Sequence, residues 1–172
     1  MVQAWTATRR WTKAAATVLG GTLQRVLRPT GRPSGTGYPG DFRGTAVIEY
    51  APHPDRLADP GEIVWGWVPF EEDHRRGKDR PLLVIGRDGR WVLALMLTSK
   101  DHDHGALRQT DHGRVWMDLG SGAWDAQGRP SEVRLDRVIR VDPHGIRREG
   151  AVLDAVRFRQ VADRVRAVHG WA

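Results

Sequence analysis

The stretch GKDRPLLVIGRDG, residues 77–89, sets Lys78, Asp79 and Arg80 against a proline at the mouth of a short apolar run. An arginine fork stays charged and binds two oxygens of an oxyanion at once. A second apolar run, 91–99, ends in Thr98-Ser99, and a hydroxyl at a strand end can fix a further oxygen. Between the runs lies Asp88-Gly89, a strong tight-turn signal. If 81–86 and 91–98 pair across it, the entrance of one strand lies beside the exit of the other. Arg80 and Thr98 then meet at one edge, eighteen residues apart in sequence. The apolar middle of this hairpin is core, and its charged end faces a site.

Further candidates flank this pair. His74, in the polar loop PFEEDHRRGKDR, titrates near working pH and can exchange protons. Arg75, Arg76 and Lys78 follow it, and Lys100 stands beside Ser99. Each has a plainer reading. An arginine before a buried strand often serves as a surface ion-pair partner, here with Asp79 or Glu72. Thr-Ser at a strand end often forms a turn, and a loop histidine is often only solvated. DHDH (101–104) with His112 invites a metal reading, since His102 and His104 project to one side of an extended chain and Asp101 or Asp103 can join them. Such clusters also arise in flexible polar loops, and no metal or cofactor is assigned.

The elements that must hold these residues are short. EIVWGWV (62–68), PLLVIG (81–86), WVLALMLTS (91–99) and RVWMDLG (114–120) read as strands, the last by alternation of Val115, Met117 and Leu119. SEVRLDRVIRVD (131–142) alternates with one change of register, which predicts a bulge or bend. TAVIEY (45–50) reads as a further short strand. From Asp154 to His169 the period becomes helical, with Asp154 as N-cap and Gly170 as stop. Five strands with tight connections and a closing helix predict a mainly β fold, a small, strongly bent sheet or barrel. A doubly wound parallel sheet is excluded, because strands do not alternate with helices.

Composition narrows the class. The 172 residues are enough for one cored domain with an appendage. There are no cysteines, which excludes a disulfide scaffold, thiolate metal sites and a cysteine nucleophile, and suits a reducing cytoplasm. The net charge of +6 resides in residues 1–44, which hold seven Lys/Arg and one Asp. Residues 45–172 are charge-balanced. The basic arm reads as an amphipathic helix through Trp11, Ala15, Val18, Leu19 and Leu23, followed by a Gly/Pro-rich linker or wrap, PTGRPSGTGYPGDFRG (29–44). Its paired Arg9 and Arg10 look like a twin-arginine export signal, but Thr12 stands where a large apolar residue is expected and no small-residue cleavage site follows. No run approaches the ~18 apolar residues that cross a bilayer. The domain reading is an arm over 1–44 and a barrel domain over 45–172.

Four segments in order resemble the MazF/PemK (CcdB-like) toxins of bacterial toxin–antitoxin pairs: PGEIVWGWVPFEED (60–73), GKDRPLLVIGRDG (77–89), LMLTSKD (95–101) and SEVRLDRVIRVD (131–142). The likeness covers about 60–170. It implies an SH3-like small barrel, a homodimer, and a cytoplasmic, metal-independent endoribonuclease that cuts single-stranded RNA at short sequences and is blocked by a cognate antitoxin. It places the catalytic arginine at Arg80 and the catalytic threonine at Thr98, with His74 in a loop where some members carry a histidine. Arg75, Arg76, Lys78, Ser99 and Lys100 become RNA-binding candidates. The eight tryptophans read as core or dimer contacts, and one or two could stack a base. Two rivals stand beside this reading: a non-catalytic barrel that binds protein, and a gyrase-poisoning toxin on the same fold.

Overall fold

A computed structural model describes residues 37–53, 55, 57–99, 107–110 and 113–172. The amphipathic arm, the paired arginines, Lys100, the DHDH cluster and His112 lie outside the described residues. The chain forms β1 (Glu62–Pro69), β2 (Gly77–Asp88), β3 (Trp91–Thr98), β4 (Leu107–Gln109), β5 (Val115–Gly120), β6 (Ser131–Arg134), β7 (Ile139–Val141), β8 (Arg147–Val152) and α1 (Ala155–His169). A short 3-10 turn, Pro143–Gly145, joins β7 to β8. The strands make one curled antiparallel sheet in the order β4-β5-β6-β3-β2-β1-β8, with β7 also paired to β3.

The central hairpin forms as its sequence predicts. Gly89 takes φ +56°, a conformation that costs glycine little, and Asp88 pairs with Trp91 across it. The ladder shifts register between Val84 and Gly86, which bends the hairpin. Its middle is buried on both faces. Ile63, Leu83, Ile85, Leu93, Leu95 and Leu97 point into one cluster, covered by Phe158, Val161, Ala162 and Val165 of α1. Val64, Leu82, Val84, Val92 and Ala94 point into a second, with Ile139 and Val141. This two-sided burial is why the runs read as continuous apolar stretches rather than alternations.

Among the described residues eight strands replace the five expected. The reading missed β4, three residues long, and β8, whose RREGAV carries no apolar alternation. The 131–142 segment does break, into β6 and β7, with Arg134 and Arg137 buried at the bend. TAVIEY forms no strand. Ile48 is driven into the core instead, and Arg166 Nη2 donates to its carbonyl at 2.9 Å. Helix α1 begins and ends where predicted: Asp154 accepts from the Val156 and Arg157 amides, and Gly170 is left-handed.

The described end of the Gly/Pro-rich stretch wraps the barrel as a strap. Phe42 bridges to Val138, with N–H to carbonyl 2.8 Å. Asp41 receives a two-bond fork from Arg137, at 2.8 and 3.0 Å. Arg140 donates to the Gly40 and Asp41 carbonyls and lies over the Phe42 ring.

Candidate active site

Strand register assembles the site. Leu82 pairs with Met96 at the end of the β2–β3 ladder, and the same register carried two residues on sets Arg80 opposite Thr98. Thr98 in turn pairs with Glu132, and Glu132 pairs with Asp118. Directly opposed residues share a face. Arg80, Thr98, Glu132 and Asp118 therefore form one polar row across four strands, at the rim of the Val64–Leu82 cluster.

Arg80 is half-buried, and Thr98 is 5% exposed. The plainer reading of Arg80 required a partner in Asp79 or Glu72. Asp79 instead pairs with Arg147 of β8. Among the described residues Arg80 makes no hydrogen bond or ion pair. A half-enclosed guanidinium with no counter-charge is set to receive an anion.

One row further in lies a charged cluster that the sequence reading missed. Arg134, buried on β6, sits at the register position opposite Met96. Its guanidinium donates to both oxygens of Asp136, the closest at 2.7 Å, and to both oxygens of Glu71. Arg114 approaches Glu71 at 3.5 Å, and the Val115 amide donates to Asp136 at 2.7 Å. Arg134 holds Glu71 below the usual carboxylate range, against a smaller effect of burial. Burial works against ionisation of Asp136, but the bonds from Arg134 and Val115 outweigh it and hold that carboxyl low as well. Glu71 thereby ties the β1–β2 loop to β6. The available signal was the spacing of Glu132 and Arg134, which strand alternation puts on one side of β6.

The loop cations are placed as follows. Arg76 and Lys78 lie over the Phe70 ring, at 5.8 and 5.9 Å from its centroid. Arg75 is tied back to Asp73. Gly77, where the loop enters β2, admits no side chain: a Cβ there would stand 2.3 Å from the Val68 carbonyl oxygen. His74 turns to the strap, where its ring meets Tyr38 edge-on at 4.9 Å between centroids.

A pocket of about 380 Å3 opens at the same strand ends and is bordered by Arg80, Thr98 and Ser99. Its wall also includes Trp65, Pro81 and Leu97, which belong to the opposite face of the sheet. Strand alternation thus gives the pocket and the Arg80–Thr98 row a common rim but different sides. The described residues hold no cluster of three or more His, Cys, Asp or Glu that could bind a metal.

The architecture is a small curled antiparallel barrel closed by one helix, with an arginine and a threonine paired at its rim. Residues 59–169 match the family described as PemK-like, MazF-like toxins of type II toxin-antitoxin systems, and the chain belongs to that family. Among solved structures it is similar to MazF (Form-I) from Deinococcus radiodurans, with 18% identity, TM-score 0.47, and coverage of 67% of this chain and 99% of that one. It is also similar to the MazE-MazF (Form-II) structure from the same organism, with 19% identity, TM-score 0.46, and coverage of 69% and 100%. The comparison with curated proteins gave no match. The strap over 37–53 precedes the matched segment.

Proposed function

We propose that the protein is an endoribonuclease toxin that cuts single-stranded RNA without a metal, acts in the cytoplasm as a homodimer, and is restrained by a cognate antitoxin. The observation that carries the reading is the unpaired, half-buried Arg80 set opposite Thr98 at the rim of the barrel. Family membership supplies the toxin–antitoxin context.

RNA brings its own nucleophile. Its 2′-oxygen attacks the adjacent phosphorus, the bond to the 5′-oxygen breaks, and the products end in a 2′,3′-cyclic phosphate and a 5′-hydroxyl. DNA lacks that hydroxyl. The protein must hold the phosphate in line, stabilise charge on the phosphorane and move two protons. Arg80 covers two phosphoryl oxygens with its fork, and Thr98 fixes the phosphate against it. His74 exchanges protons with the reacting oxygens. Arg75, Arg76, Lys78, Ser99 and Lys100 hold the RNA backbone on either side, a contact that weakens with added salt.

The test is the chemistry of the ends. Purified protein incubated with a long unstructured RNA in EDTA yields discrete fragments with 2′,3′-cyclic phosphate and 5′-hydroxyl ends. The same RNA with 2′-O-methyl groups throughout stays intact. Cutting of the methylated RNA, or fragments with 5′-phosphates, overturns the mechanism. Intact RNA in both arms moves the protein to the non-catalytic binding class.

A further inference from the structure

We propose that Tyr38, carried on the strap outside the family segment, is a positioning residue for His74. The proposal rests on the nuclease reading and adds to it a part that the strap supplies.

Three observations carry it. First, His74 is exposed in the β1–β2 loop and makes no hydrogen bond among the described residues. The loop's own bonds join Phe70 to Arg76, Arg76 to Asp73, and Arg75 to Asp73, leaving the imidazole untouched. Among the described residues its one ring contact is with Tyr38, at 82° between planes. An edge-on ring contact orients the imidazole without taking a hydrogen bond from either nitrogen. Second, Tyr38 is itself fixed. Its hydroxyl donates to Asp41, whose carboxylate receives the Arg137 fork, and Arg137 is 6% exposed. Third, Tyr38 packs against the cluster that holds Leu82 and Met96, the row directly beneath Arg80 and Thr98. The strap therefore brings His74 to the face that carries the proposed catalytic pair.

Asp41 of the strap is an opposing charge close enough for its carboxylate to interact electrostatically with His74. Asp73 and Arg75 flank it in sequence and pair with each other, and Arg137 is neutralised by Asp41 on the barrel side. Burial raises the Tyr38 phenol well above its ordinary range, and Asp41 adds to this, so Tyr38 remains a protonated donor at any pH where RNA is handled.

The experiment compares wild type, Tyr38→Phe, Tyr38→Leu, His74→Ala and the Tyr38→Leu/His74→Ala double variant in steady-state RNA cleavage by the full chain. Tyr38→Leu is expected to lower kcat roughly tenfold or more with KM unchanged, as misplacing a reacting group does. Tyr38→Phe, which keeps the ring but loses its bond to Asp41, is expected to fall between wild type and Tyr38→Leu. The double variant is expected to be no slower than His74→Ala, because the first change acts only through the second. Additive losses, or a Tyr38→Leu variant with wild-type kcat, overturn the proposal while leaving the nuclease reading in place. A wild type that cuts no RNA removes both. Should Tyr38→Leu fail to fold, proton NMR of the wild type decides. Ring protons of His74 displaced by the Tyr38 ring support the contact, and ring protons at unstructured values overturn it.

Discussion

Arg80→Ala removes a charge that makes no hydrogen bond or ion pair among the described residues, so its effect falls on the reaction and not on the fold. The cleavage rate is expected to drop about 10²- to 10³-fold, the scale for losing one preorganised stabiliser of developing charge. The melting temperature stays within a degree or two of wild type, as for substitutions that disturb no packed contact. A large loss of stability in Arg80→Ala, seen by thermal melting, would show that the guanidinium has a structural partner. Thr98 differs, being almost wholly buried. Thr98→Val keeps its shape and deletes its hydroxyl. It is expected to lose cleavage with a stability cost of only about 1 kcal/mol, measured by urea titration.

At the scale of elements, the β1–β2 loop is held by one buried cation. Arg134 joins Glu71 of that loop to Asp136 beyond β6. Arg134→Ala strands two carboxylates at the rim and is expected to destabilise by about 3 kcal/mol or more. Arg75→Ala, which breaks a fully solvated pair within the loop, leaves the melting temperature unchanged. Equal effects of the two changes would mean that the loop is not anchored through β6.

The hairpin was legible in the sequence because its two apolar runs, its turn and its terminal Arg80 and Thr98 lie within twenty-odd residues of one another. Hydrophobic patterning therefore sets their register. The Glu71–Arg134 contact spans 63 residues and the Asp41–Arg137 fork 96, and no local pattern reports either. Strand β8 was hidden for another reason: RREGAV opens on charged residues, of which Arg147 pairs with Asp79, and its sequence offers no apolar alternation. Helix α1 was legible to the residue because capping is local chemistry.

For the whole molecule, three carboxylates bind different parts together: half-buried Asp41 the strap, exposed Glu71 the loop, half-buried Asp136 the bend. All three are held low. For Asp41, burial acts against ionisation, and the Arg137 fork and the Tyr38 hydroxyl outweigh it. A carboxyl whose folded pKa is depressed contributes stability above its unfolded pKa, near 4. That contribution is lost as pH falls through the folded value. The urea midpoint is thus expected to be flat from neutral pH to about pH 5 and to fall steeply below about pH 4. Asp41→Asn should flatten the acid fall while lowering the neutral plateau. An acid profile identical to wild type in Asp41→Asn would show that the strap is not held by this charge.

The most direct measurement of the central claim is single-turnover cleavage of one labelled RNA in EDTA by wild type, Arg80→Lys and Arg80→Ala, each shown by thermal melting to be folded. A lysine keeps the charge but not the two-oxygen fork. The account predicts rates in the order wild type, Arg80→Lys, Arg80→Ala, with the alanine variant at least 10²-fold below wild type and all products ending in cyclic phosphate. Cleavage by Arg80→Ala at the wild-type rate would contradict it, and so would the absence of cleavage by the wild type.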